Sequence, residues 1–254
     1  MNTTVGLASA LFFLSSAAIA QPVPANETDD YADDLAGYEE ATGGELAADP
    51  LEPMNRVIHD FNYGVDYILI RPITKGYEFI VPEPGRKAVG RVVDNWEAPV
   101  VLANSLLQLD AENSFVTFWR FMFNTTLGVG GLFDIASEMG VPPRRDEDFG
   151  QTLGYWGVGH GAYLVLPIMG PSSLRDTPGK VVDWFLQPLN WGTKNWERFG
   201  MAATRGINYR SRYGNFIDDT YDNSLDPYAT FRSLYLQRRD ADVRNLRSDA
   251  SPSE

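Results

Sequence analysis

Residues 110–131 read Asp110-Ala-Glu-Asn-Ser-Phe-Val-Thr-Phe-Trp-Arg-Phe-Met-Phe-Asn-Thr-Thr-Leu-Gly-Val-Gly-Gly131. Phe115, Phe118, Trp119, Met122 and Phe123 recur at three- and four-residue steps, the spacing of one face of an α-helix. Asp110 offers its carboxylate as the N-cap acceptor, and the Gly128–Gly131 run stops the helix. A face of this composition either packs a core or lies in a bilayer surface, where Trp suits the headgroup level. Periodicity alone leaves both readings open.

The same spacing extends in both directions. Met54, Val57, Ile58, Phe61, Val65, Ile68 and Leu69 form one stripe, which Arg71-Pro72 is expected to end. Val89, Val92, Val93, Trp96, Val100, Ala103, Leu106 and Leu107 form another, which Pro99 is expected to kink or split. A short helical turn is expected from Asp134 to Met139. Residues 140–180 hold eight glycines and five prolines and read as turns, loops and short extended pieces. Helices resume near Lys180–Leu186 and Thr193–Arg212. A last one opens at Asp226-Pro227, with N-cap and Pro in the preferred order, and runs to Arg239. The fold class is all-α: amphipathic helices with a Gly/Pro-rich middle and no internal repeat. No apolar run after residue 20 approaches the length that spans a bilayer.

Composition removes several functions. The 254 residues hold 34 acidic and 21 basic side chains, a net charge of −13, with two histidines and no cysteine. Disulfides, thiol nucleophiles and Cys-type metal sites are therefore excluded. His59 and His160 lie too far apart for a zinc-enzyme helix, so no metal and no cofactor are expected. An acidic chain also lacks the basic stripe that nucleic acid needs. Residues 1–20 carry no charge and close on Ala18-Ile19-Ala20, the pattern of a signal peptide cleaved after Ala20, although the usual basic start is missing. Residues 21–48 read as a disordered acidic leader. Nine acids and no base fall within residues 21–50, so Leu51–Glu254 has 25 acidic and 21 basic groups and a net charge of only −4. The domain is expected over 49–239, and a polar, frayed tail over 240–254.

Short motifs for chemistry do not accumulate. The Gly128–Gly131 run lacks nucleotide-loop spacing and reads as a helix stop and a tight passage of the chain. No Gly-x-Ser-x-Gly elbow exists to serve His160, which sits between Gly159 and Gly161. His59 reads as a core or interfacial side chain. The carboxylates at Asp146-Glu147-Asp148 and at Asp218-Asp219 with Asp222 do not match a calcium loop and read as solvated loop or helix start. The Asn124-Thr125-Thr126 sequon is too short to carry weight. No enzymatic activity is expected.

Longer blocks carry more. Asp49-Pro50-Leu-Glu-Pro-Met-Asn55-Arg56 with Phe61-Asn62 resembles the opening motif of the MlaA (VacJ) family. Asn95 to Leu109 resembles the family's second block, and Arg120 through Asn124 and Gly128 to Asp134 the third. Glu147-Asp148-Phe-Gly150-Gln-Thr-Leu-Gly154, continuing through Trp156 and Leu166-Pro167 to Arg175-Asp176, is similar to the next, and Asp226-Pro227-Tyr228 with Arg232, Tyr235 and Gln237 to the last. The blocks cover residues 49–239 in the family's order.

The resemblance implies a ring of helices in the inner leaflet of the outer membrane, on its periplasmic side. An amphipathic central channel would take misplaced phospholipids from the outer leaflet to a soluble periplasmic carrier, maintaining lipid asymmetry. A trimeric porin is the implied neighbour. On this reading Phe115, Phe118, Trp119, Met122 and Phe123 face lipid. Lys194, Arg198 and Arg205 lie near the channel, where they would attract phosphate headgroups unless they are committed to ordinary salt bridges. Many members are lipoproteins. This chain has no cysteine to acylate, so attachment is expected through the helices and porin instead. The alternative is a soluble periplasmic lipid-binding protein.

Overall fold

The computed structural model describes residues 49–250, with side chains to residue 244. The expected signal peptide and acidic leader lie outside the described residues. The chain forms α1 (Glu52–Val65), a π-helical turn (Asp66–Ile70), α2 (Arg71–Ile80), α3 (Glu83–Leu107), α4 (Ala111–Thr126), α5 (Ile135–Glu138) and α6 (Phe149–Tyr155). Strands β1 (Tyr163–Leu166) and β2 (Gly170–Ser173) follow, then α7 (Asp176–Leu186), α8 (Leu189–Gly192), α9 (Asn195–Asn223) and α10 (Pro227–Ala250). The mostly helical class is observed, and no helix among the described residues is long and apolar enough to cross a membrane.

Several boundaries differ from expectation, each for a local reason. Pro72 does not end the first helical segment. The π turn shifts the ladder by one residue, so that Arg71 N–H bonds to the Asp66 carbonyl, and Pro72 falls in the first turn of α2 where its missing N–H costs nothing. Pro99 does not split α3. It withholds a donor from the Asn95 carbonyl, while Gln187 Nε2 donates to the neighbouring Trp96 carbonyl at 2.8 Å. Helix α6 forms inside the glycine-rich middle, capped by Asp148, which accepts from Gln151 N–H at 2.9 Å. Helices α9 and α10 outrun their expected ends at Arg212 and Arg239. Residues 240–244 are therefore helical and packed rather than frayed, with Val243 buried.

Packing links the elements through successive neighbours. Helix α1 packs on β1, β2 on α10, α10 on α6, α6 on α3, α3 on α9, and α9 on α2, which returns through the π turn to α1. The hairpin pairs antiparallel in the register Tyr163↔Ser173 to Leu166↔Gly170. Its inward residues Tyr163 and Val165 pack with Tyr228, Tyr235, Leu236 and Ile58. Helix α1 holds the hairpin through two asparagines one heptad apart. Asn55 Nδ2 donates to the Tyr163 carbonyl at 3.0 Å while its Oδ1 accepts from Val165 N–H at 2.9 Å. Asn62 repeats this with the Leu166 carbonyl at 2.9 Å and Ile168 N–H at 2.6 Å. Each amide acts as a substitute strand for an edge that would otherwise be unpaired.

Candidate lipid-facing surface and charged interior

The distribution of side chains is inverted relative to a water-soluble protein. Among the described residues 13 hydrophobic side chains are buried, against 24 polar or charged ones. The largest fully buried side chains are all polar: Gln108, Asn55, Asn104, Thr117, Ser105, Ser172 and Ser173. Meanwhile 31 large hydrophobic side chains are exposed. Singly exposed apolar residues need no explanation, whereas a contiguous apolar patch is the mark of an apolar partner or a membrane.

Helix α4 shows the inversion most clearly. Phe115 is 66% exposed and Trp119 37%, Phe118 and Met122 are also exposed, and Phe123 is half-buried. Asn113, Ser114, Val116 and Thr117 fill the buried face. The aromatic stripe is therefore not core. Its rings pack along the surface, Trp119 lying 5.4 Å from both Phe118 and Phe123. The first stripe behaves alike: Met54, Val57 and Phe61 on α1 and Ile68 and Leu69 in the π turn are exposed, whereas Asn55 and His59 are buried. His59 lies among the rings of Tyr221, Tyr228 and Phe231, and burial lowers its pKa.

Inside, the family-type residues converge on one ionic network. Arg239 on α10 donates to both carboxylate oxygens of Asp148 at 2.6 and 2.8 Å, and to Asp176 at 2.9 Å. Arg175 donates to the other Asp176 oxygen at 2.8 Å, and the Tyr235 hydroxyl donates to Asp176. Burial pushes both aspartates up, but the guanidiniums outweigh it and hold both carboxyls below the ordinary range. Gly150 is where the elements meet: a Cβ there would lie 2.4 Å from Asp176 Oδ1 and 2.7 Å from Arg239 Nη2. Around this network lie groups with perturbed protonation. Burial, with the charge of Asp148, pushes Asp183 up to about 7. Burial pushes Glu147 up to about 8, and lowers Lys180 to about 8. Glu147 and Asp148 are thus interior groups, not solvated loop. Arg239, expected only as a helix end, is the hub, and Tyr235, Lys180 and Asp183 belong with it.

Two further family blocks fasten the chain ends of the helices. Arg120 pairs with Asp134 at 2.9 Å and donates to the Val141 carbonyl at 3.0 Å. Asn124 Nδ2 donates to Asp134 at 3.0 Å while its Oδ1 accepts from Ala136 N–H at 2.9 Å. These bonds close the Gly128–Gly131 turn, where a Cβ on Gly128 would lie 2.3 Å from the Phe133 carbonyl oxygen. The run is a tight chain passage, as its spacing predicts. At the other end Arg56 grips Asp226 at 3.1 and 2.7 Å. Asp49, in the turn that includes the exposed Pro50, accepts from Asn55 at 3.2 Å and from the Tyr228 hydroxyl. Asp218 pairs with Arg71 and Arg210 rather than standing free in solvent. His160 pairs with Asp240 at 2.5 Å.

A charged recess lies between α3 and α9. Asp94 faces Arg212 at 3.5 Å, and Glu97 pairs with Arg205 beside Val93, Trp96, Met201 and Ala202. The Asp94 side chain is 48% accessible, yet burial still pushes its carboxyl up, and Glu97 likewise. Of the three cations expected near a channel, only Arg205 reaches this recess, and it is committed to Glu97. Lys194 is exposed at the start of α9, and Arg198, half-buried, donates to Asn195.

The described residues thus combine a mostly helical fold, a polar and ionic interior and an apolar exposed surface. The family model for the MlaA lipoprotein matches residues 47–242, and the chain belongs to the MlaA family. It is 38% identical over 197 residues to the Escherichia coli protein called intermembrane phospholipid transport system lipoprotein MlaA, with 76% of this chain and 77% of that one covered. The Haemophilus influenzae protein of the same name is 35% identical, with 74% and 76% covered. An uncharacterized Rickettsia felis protein is 40% identical, with 77% and 78% covered. A solved chain from work on the structural basis for maintenance of bacterial outer membrane lipid asymmetry superposes with a TM-score of 0.69 at 36% identity. The match covers 77% of this chain and 99% of that one. The relatives' designation as lipoproteins runs against the expectation of attachment without a lipid, which rests on the absence of cysteine from these 254 residues.

Proposed function

We propose that this protein is a phospholipid-transport component seated in the inner leaflet of the outer membrane. It takes misplaced phospholipids from the outer leaflet through the ring, and passes them to a soluble periplasmic carrier beside a trimeric porin. The observation that carries this reading is the inversion: 31 exposed large hydrophobic side chains around an interior whose largest buried side chains are amides and hydroxyls. An acyl-chain environment favours such an exterior, and a headgroup in transit needs polar partners that a hydrocarbon core cannot supply. The α4 face with Phe115, Phe118, Trp119, Met122 and Phe123 meets lipid. The recess of Asp94, Glu97, Arg205 and Arg212 supplies charged wall to the passage. The relatives' printed name is that of a transport-system component, and the role proposed here is likewise transport.

Fractionation tests the seating against the alternative of a soluble periplasmic lipid-binding protein. Membranes from cells expressing the full chain should retain it through high salt and alkaline carbonate and release it with detergent. Release by salt or carbonate alone would favour the soluble reading.

A further inference from the structure

The exposed aromatic surface has two chemically distinct parts. On α4 the exposed Phe115, Phe118, Trp119 and Met122 lie on continuous helix, and the one cation among them, Arg120, is turned to Asp134. The corner made by the end of α7, α8 and the start of α9 is different. Trp191 is 68% exposed and Trp196 70%, and Phe185 and Phe199 are exposed beside them. Trp184, Phe185 and Trp191 form one ring cluster, with centroids 4.9 to 6.3 Å apart. Trp191 Nε1 donates to the Phe185 carbonyl at 2.9 Å, and Asn190 Nδ2 to the Trp184 carbonyl at 2.7 Å, two bonds that tie α8 to the end of α7. Lys194 and Arg198 lie in the same stretch of sequence as Trp191, Trp196 and Phe199, while Glu197 accepts from Lys194 N–H at 2.8 Å as a helix cap.

Three physical requirements converge on one location. Exposed Trp and Phe rings disfavour bulk water. The broken backbone around a four-residue helix disfavours hydrocarbon, which cannot pair its N–H and C=O groups. Two exposed or half-buried cations favour anionic phosphate. The boundary between headgroups and acyl chains satisfies all three, and Trp settles there.

We infer that this corner is an interfacial anchor that binds anionic phospholipid headgroups and fixes the tilt of the ring, with the α4 face lying deeper in hydrocarbon. The inference rests on the membrane seating proposed above. The absence of native cysteine permits a direct test. Full-length protein with a single Phe115→Cys, Trp191→Cys or Trp196→Cys substitution is nitroxide-labelled and reconstituted in phosphatidylglycerol/phosphatidylethanolamine vesicles. Collision with oxygen and with a water-soluble nickel chelate then reports depth. Labels at 191 and 196 should sit at phosphate level and the label at 115 several ångströms deeper.

Labels at 191 and 196 fully in water, as deep as 115, or shielded from both reagents by protein would overturn the anchor while leaving the seating intact. A label at 115 in water would overturn the seating itself. For the headgroup part, Lys194→Gln/Arg198→Gln protein should lose about 30-fold of the wild-type preference for phosphatidylglycerol-containing over phosphatidylcholine vesicles, at roughly 1 kcal/mol per cation. An unchanged preference would remove anionic headgroups from the inference.

Discussion

Replacing Arg239 with methionine removes the hub of the interior while keeping its length and apolar stem. Three charge-assisted bonds disappear, two to Asp148 at 2.6 and 2.8 Å and one to Asp176 at 2.9 Å. Asp148 is then left with the backbone N–H and side-chain amide of Gln151, and Asp176 with Arg175 and Tyr235. Breaking a buried pair by deleting one member costs about 3–5 kcal/mol, because the remaining charge stays desolvated. For a domain of about 200 residues each kcal/mol shifts Tm by about 2–4 °C, so a fall of about 6–20 °C is expected.

The pH dependence carries the sharper test. In the wild type both aspartates titrate below their unfolded values, so their contribution is complete above the ordinary carboxylate range and is lost progressively as pH falls from that range towards their lowered folded values. Without Arg239 that contribution is missing from the start. The gap between wild type and Arg239→Met should therefore be largest near pH 7 and narrow below about pH 4. Far-ultraviolet circular dichroism of detergent-solubilised protein, followed against temperature at several pH values, measures it. A loss under 1 kcal/mol, or a gap that stays constant or widens towards acid, would refute the reasoning. Arg56→Met serves as the control: its pair with Asp226 is about 40% exposed on both sides and should cost about 1 kcal/mol or less.

Other consequences follow from single side chains. Asn55→Ala should unclamp β1, leaving the Tyr163 carbonyl and Val165 N–H unpaired, and cost about 2–5 kcal/mol in thermal or denaturant unfolding. Glu147, pushed up to about 8 by burial, opposes folding when it ionises. Its stabilising contribution is present below the unfolded carboxylate value and lost as pH rises through about 8. Glu147→Gln should therefore match wild type near pH 5 and become more stable than it by pH 9. The gain in denaturant unfolding should be a few kcal/mol, since each tenfold change in proton affinity is worth about 1.4 kcal/mol. Trp119→Asp on the exposed stripe should leave the helical signal intact while weakening membrane retention in fractionation; loss of the fold instead would make that face core.

Helices and their caps were legible because local chemistry specifies them. Asp110 does accept from Asn113 N–H at 2.9 Å, and the aromatic stripe of α4 does share a face. Helix α6 was not legible. Gly150 and Gly154 look like turn residues in isolation, and are required in a helix only because Asp176, Arg239 and Arg175 press against them. The interior was hidden for a related reason. Asp148 and Asp176 reach Arg239 across 91 and 63 residues of chain, and nothing local separates a carboxylate bound for that network from a solvated one. Periodicity marked which residues share a helix face but not which way the face points. That direction depends on whether water or lipid surrounds the protein. The stripe of α1 shows this: its apolar side faces out while Asn55 and His59 face in.

The central claim is that this polar-lined ring moves phospholipid out of the outer leaflet. Outer-leaflet phospholipid can be quantified in the native cells with the gene deleted, and again with it restored. The account predicts that surface phospholipid rises on deletion and returns to the original level on restoration of the wild-type chain. A surface lipid composition that deletion leaves unchanged would contradict it.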